Sequence, residues 1–137
     1  MWRTLCVGKI HRAVVTEADL NYVGSITLDP LLMEAAHILP LQMVQITNLA
    51  NGVLWHTYAI EGQRGGGAVC LNGPPARHFQ PGDLVVILTT AQVADEELPE
   101  VCCPVVFVDE QNKVTQVVYH TLGKSHLMTV ENVTDPS

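Results

Sequence analysis

Met43-Val44-Gln45-Ile46-Thr47 and Val53-Leu54-Trp55-His56-Thr57-Tyr58-Ala59-Ile60, linked through Asn51-Gly52, form the stretch that decides the fold. Both runs are short and rich in β-branched and aromatic residues, the side chains that suit a pleated, half-buried surface. Asn-Gly is the composition of a type I′ turn, in which both central residues take positive φ. The stretch therefore predicts a β-hairpin.

Outward from it, similar runs recur at Arg12 to Thr16, Val23 to Leu28, Ala68 to Leu71, Leu84 to Thr89, Val105 to Val108 and Val114 to Tyr119. Pro81-Gly82-Asp83 has the chemistry of a tight turn and Asp109 to Lys113 that of a longer hairpin loop. Helical periodicity is scarce. One helix is predicted: Asp29 caps it, Pro30 fits its first position, Leu31, Leu32, Ala35 and Ile38 share a face, and Pro40 ends it. A weaker helical turn is expected at Ala94 to Leu98. This pattern describes a mainly β chain, a closed barrel or a sandwich, with one or two short helices. Its 137 residues, nearly half of them apolar, suffice for one core and one domain. From about Leu122 the chain turns polar without a period, so residues 121–137 are expected to form a loosely ordered tail.

Composition also excludes function classes. Seven basic residues against fourteen acidic ones, with no basic cluster, argue against nucleic-acid binding. The longest apolar runs are too short to cross a bilayer and the N-terminus has no signal-like pattern, so a soluble cytoplasmic protein is expected. Cys6, Cys70, Cys102 and Cys103 contain no C-x-x-C pair and read as reduced, core-type thiols. The histidines form no close-spaced ligand pair, so no metal is expected. Gly62 to Gly67 lacks the Gly-Lys-Ser/Thr ending of a phosphate loop, and Asp95, Glu96, Glu97 and Glu100 read as a solvated acidic face.

Gly24-Ser25 is the candidate for chemistry. A serine hydroxyl attacks the carbonyl of the preceding residue when the backbone is held bent, and a preceding glycine permits conformations that a Cβ forbids. The ester formed breaks by elimination to a dehydroalanine, which hydrolyses with loss of ammonia to a pyruvoyl group at the new N-terminus. That carbonyl condenses with the amine of an amino acid and takes up the electrons left when carbon dioxide departs, with no need of PLP or a metal. A proton donor must close the cycle, and a phenol, protonated at neutral pH, can serve.

With Arg3-Thr4, Gly8-Lys9-Ile10-His11-Arg12, Val15-Thr16, Ala18-Asp19-Leu20, Tyr22-Val23-Gly24-Ser25, Thr57-Tyr58-Ala59-Ile60, Arg64-Gly65 and Asn72-Gly73 in register, the chain closely resembles the bacterial aspartate 1-decarboxylase family over about residues 1 to 120. The resemblance implies a double-psi β-barrel assembled as a homotetramer, with sites near subunit interfaces. It implies a barrel over 1–120, cut into a β-chain of residues 1–24 and an α-chain of 25–137. Carried over, Ser25 becomes the pyruvoyl group and Tyr58 the proton donor. Gly24, Ser25, Thr57 and His11 belong to processing. Lys9, Thr57, Asn72 and Gly73 face substrate, together with Pro74, Pro75 and Leu54. The implied reaction is aspartate to β-alanine, the β-alanine of pantothenate biosynthesis. Some members of the family use an activating protein.

Two departures bear on the substrate. Leu54 stands where the family usually has an arginine that holds a carboxylate, which removes a charged, forked donor. Pro74 and Pro75 stand where alanines offer backbone N–H groups, and proline has none to offer. Arg64 and Arg77 are the candidates to replace the lost charge. The readings left open are aspartate as substrate, the same chemistry on a less acidic amino acid, and an uncleaved binding barrel.

Overall fold

A computed structural model describes residues 1–122 and 124–129. Its strands are β1 (Trp2–Val14), β2 (Glu17–Asp19), β3 (Ser25–Leu28), β4 (Met43–Asn48), β5 (Leu54–Glu61), β6 (Val69–Asn72), β7 (Leu84–Ala94), β8 (Cys102–Val108), β9 (Val114–Thr121) and β10 (Lys124–Thr129). They hydrogen-bond in the order β10-β9-β8-β1-β7-β4-β5-β3-β6-β2. Parallel pairings of strands far apart in sequence, β1 with β8, β3 with β5 and β2 with β6, interlace the chain. The fold is the mainly β, double-psi barrel that the resemblance implied.

Direct cross-strand partners share a face of the sheet, which explains where the core lies. Ile10 pairs with Ile87, Ile87 with Ile46 and Ile46 with Trp55, and the three isoleucines are fully buried. One residue along, Lys9, Leu88, Gln45 and His56 form the next row and face outward. β1 is far longer than its sequence suggested. Register shifts at Cys6/Gly8 and Ile10/Ala13, the second with Arg12 at φ 59°, reverse its inside-outside phase along its length.

The helix, α1 (Pro30–Ala35), is shorter than expected. Rather than running to Pro40, it ends in a Schellman motif: His37 takes φ 58°, its N–H bonds Glu34 O, and Ile38 N–H bonds Met33 O at 2.8 Å. At its start, buried Asp29 accepts from the N–H groups of Leu31 (2.9 Å), Gly65 (3.0 Å) and Gly67 (2.8 Å). The glycine-rich loop is therefore a clasp on the helix cap. The weaker helical turn is a 3₁₀ turn at Asp95–Glu100.

The hairpin between β4 and β5 forms, but not through a two-residue type I′ turn. Only Gly52 of the Asn-Gly pair has positive φ, at 74°. Buried Asn48 lengthens the loop: its carbonyl accepts from Gly52 N and its Oδ1 from Ala50 N. Within the segment expected to be a loose tail from 121, Lys124–Thr129 pair antiparallel with β9, and residue 123 and residues 130–137 lie outside the described residues. No helix among the described residues is long and apolar enough to cross a membrane.

Candidate active site

The expected strand from Val23 begins two residues later, at Ser25, because the chain bends at Tyr22 and Gly24 first. Val23 is left exposed, whereas Ser25 is 1% exposed. Across the antiparallel β3–β6 pair, Ser25 stands opposite Asn72. Asn72 Nδ2 donates to Ser25 Oγ at 3.0 Å and to Thr27 Oγ1 at 2.9 Å, and Ser25 Oγ donates to Val23 O at 3.3 Å. A buried serine hydroxyl is thus oriented from both sides at the point where the strand begins.

Gly73 follows Asn72 with φ 80° and gives its N–H to Asp19 O at 2.7 Å. A Cβ on Gly73 would lie 2.8 Å from Gly24 Cα and 3.0 Å from both Gly24 N and Tyr22 O. The two backbones therefore touch at Tyr22 and Gly24, just ahead of the Gly24-Ser25 bond, and only glycine fits at position 73. Pro74 Cδ is the nearest atom to where a Cβ of Gly24 would sit, at 3.8 Å. Pro74–Arg77 form a 3₁₀ turn in which Ala76 N–H bonds Gly73 O.

The parallel β3–β5 register sets Ile26 beside Ala59, both buried. One step earlier Tyr58 comes beside Ser25, on the face that Ser25, Thr27 and Asn72 share. Tyr58 is half-buried there. Thr57 alternates with it onto the buried face, next to Ala59.

The remaining residues carried over from the resemblance do not join this group within one chain. Lys9 and His11 lie on β1, four strands around the barrel from β3. Half-buried His11 packs edge-on to Phe107 at 5.4 Å. Burial, and then the charges of Lys9 and Arg12, lower its pKa, which keeps the ring neutral at pH 7. Leu54 is 49% exposed at the start of β5, four residues from Tyr58 on the same face. Arg64 is engaged with Glu34 on α1 at 2.7 and 3.1 Å. Arg77 is exposed at the end of the turn that Gly73 opens.

Thr27 was not singled out from sequence. The signal was available: a hydroxyl two residues after Ser25 in a strand must share its face. Among the described residues, no group of three or more His, Cys, Asp or Glu side chains is placed to hold a metal.

The sequence profile of the family described as aspartate decarboxylase matches residues 1–115. The chain is similar to a protein named aspartate 1-decarboxylase from Thermoanaerobacter pseudethanolicus, 52% identical over 82% of this chain and 97% of that protein. It is 51% identical to one of the same name from Neisseria meningitidis, over 86% of this chain and 93% of that protein. A third, from Exiguobacterium sibiricum, is 48% identical over 93% of this chain and its own whole length.

Proposed function

The chain belongs to the aspartate decarboxylase family, and from that premise we propose that it is a self-processing, pyruvoyl-dependent enzyme that decarboxylates aspartate to β-alanine. The observation that carries the reading is the buried Ser25 hydroxyl, held by Asn72 at a backbone bend against which Gly73 closes.

In processing, Ser25 Oγ attacks the Gly24 carbonyl, the peptide nitrogen leaves as the ester forms, and elimination and hydrolysis follow. Gly24 supplies the bend; the part of Thr57, which faces the core from β5, is to position its neighbour Tyr58, and His11 acts from a neighbouring copy. The residues fit the pyruvoyl group so formed: Asn72 Nδ2, anchored also by Thr27 Oγ1, remains a donor beside the position that Ser25 occupied. That group supplies the electron sink for loss of carbon dioxide. Tyr58, on the same face, holds the proton to be delivered where carbon dioxide departed. Asn72, Gly73, Pro74 and Pro75 shape the wall against the substrate, and Thr57 supports it from the buried face of β5.

Lys9 stands four strands from Ser25 of its own chain and exposed Leu54 stands at the start of β5, four residues from Tyr58, so both line the site from a neighbouring copy in a homotetramer. The exposed Leu39, Leu41 and Met43, the last of them opposite Tyr58, are apolar surface of the kind that a subunit covers. The enzyme works in the cytoplasm.

Leu54 favours a second reading, in which a less acidic amino acid is the better substrate. The test is intact mass under denaturing, reducing conditions, then reaction of the larger fragment with a hydrazine and a screen of amino acids. Two fragments, 1–24 and a carbonyl-bearing 25–137, with β-alanine formed from aspartate, are expected. A chain that stays whole after warming and after addition of an activating protein would overturn the reading. Faster turnover of an uncharged amino acid would favour the second.

A further inference from the structure

Cys6 and Cys103 have no part in that chemistry, and Cys6 is exposed rather than a core thiol. β1 runs parallel to β8 with Lys9 opposite Val105, so an unbroken register would set Cys6 opposite Cys102. The shift between Cys6 and Gly8 inserts Val7 as an extra residue and turns Cys6 toward Cys103 instead. The two Sγ atoms lie 3.8 Å apart. They open on a cleft of about 150 Å³ that Leu5, Val101 and His120 also line.

We propose that Cys6 and Cys103 form a peroxide-sensitive dithiol site whose disulfide ties the 1–24 fragment to the 25–137 fragment after the chain is cut. Cys6 lies in the first fragment and Cys103 in the second. The tie rests on the cleavage proposed above, whereas the disulfide chemistry does not.

The division of labour follows from burial. Cys103 is 9% exposed, and burial together with the neighbouring Cys6 pushes its thiol up to about 12, so it stays protonated at neutral pH. Exposed Cys6 is the sulfur that a peroxide reaches. Its thiolate attacks the peroxide oxygen and becomes a sulfenic acid as water or an alcohol leaves. The Cys103 sulfur then attacks Cys6 Sγ, its proton leaves with the departing hydroxide as water, and the S–S bond forms. Two thiols lose two electrons and the peroxide gains them. The sulfurs must close by about 1.8 Å to reach bonding distance, near 2.05 Å. Cys103 is the second residue of β8 and follows a 3₁₀ turn, so that approach involves a strand end and not its middle.

The test treats the purified processed protein with hydrogen peroxide, alkylates remaining thiols, and takes masses under denaturing conditions with and without dithiothreitol. The expected product is one linked species, about 2 Da below the sum of the fragments, that separates into two on reduction. Cys6→Ser abolishes the link and Cys70→Ser leaves it. The surface position of Cys6 makes its variant the safe one should Cys103→Ser fold poorly. Fragments that separate without reductant and carry alkylated Cys6 and Cys103, Cys6 driven to sulfinic acid beside an alkylated Cys103, or a link that persists in Cys6→Ser would each overturn the proposal. A chain left uncut under reducing conditions would instead count against cleavage. Peptide mapping for a Cys6–Cys103 disulfide would still decide the thiol chemistry.

Discussion

Replacing Gly73 by alanine tests whether the close approach of two backbones sets the cleavage geometry. The added Cβ would stand 2.8 Å from Gly24 Cα and 3.0 Å from Gly24 N and Tyr22 O. Carbon atoms settle at about 3.5 Å or beyond, so the Gly24 segment must retreat by about 0.7 Å. All three obstructing atoms are backbone, so no side chain can swing aside. At φ 80° and ψ −146°, close to backbone space essentially reserved for glycine, a side chain adds strain of roughly 1–3 kcal/mol. A shift approaching 1 Å at a reacting centre can cost about a hundredfold in rate, so cleavage at Gly24-Ser25 should slow by roughly ten- to a hundredfold. The melting temperature should fall by roughly 3–12 °C, on the order of the strain alone. The assay is a time course of intact mass from freshly made precursor, beside a thermal melt. Cleavage within twofold of the parent rate, in a variant with an unchanged melting temperature, would refute the packing argument.

Thr27→Val removes the hydroxyl that shares the Asn72 amide while keeping the shape. Loss of a hydrogen bond worth about 1 kcal/mol should slow processing by a few-fold, and Thr27→Ser should restore it. Equal processing in all three forms would show that Asn72 needs no such anchor. Leu54→Arg returns a forked cation to the site, and a charged hydrogen bond worth about 1.5–3 kcal/mol should raise kcat/KM for aspartate by roughly ten- to a hundredfold. Steady-state kinetics with aspartate and with an uncharged amino acid check this, and an unchanged ratio would mean that Leu54 does not face substrate. His11→Gln concerns pH. Burial and the charges of Lys9 and Arg12 lower the folded-state pKa of His11, so the unfolded chain binds its proton first as pH falls. Stability present above about pH 6.5 should be lost as pH falls through that value toward the lower folded pKa. Denaturant melts across pH should show a shallower acid-side loss in His11→Gln, and identical slopes would contradict this origin.

Much of the barrel was legible because a strand half buried on one side writes its alternation into the sequence. The paired β4 and β5 runs and the Pro81-Gly82-Asp83 turn are of that kind. β1 was not legible, because each bulge reverses the phase and no single alternation survives along Trp2–Val14. The spacing puts the end of α1 at Pro40, yet the helix stops earlier, at a left-handed His37 with no glycine to announce the cap. The Asn51-Gly52 pair misled for a related reason: buried Asn48 competes for the loop's N–H groups and makes a longer turn.

At the site, the sequence by itself determined the reagents. Gly24 and Ser25 are adjacent, and adjacency in the chain is enough to put a hydroxyl next to the bond that it attacks. Covalent connectivity also settled that Ser25 and Thr27 share a face. What only the tertiary structure decided is which distant residues meet them: Asn72 opposite Ser25, Gly73 against Gly24, Tyr58 beside Ser25 through a parallel register, and Cys6 turned onto Cys103 by one extra residue. Those meetings depend on strand order and register, which are set by how the whole core packs and not by any short stretch of chain.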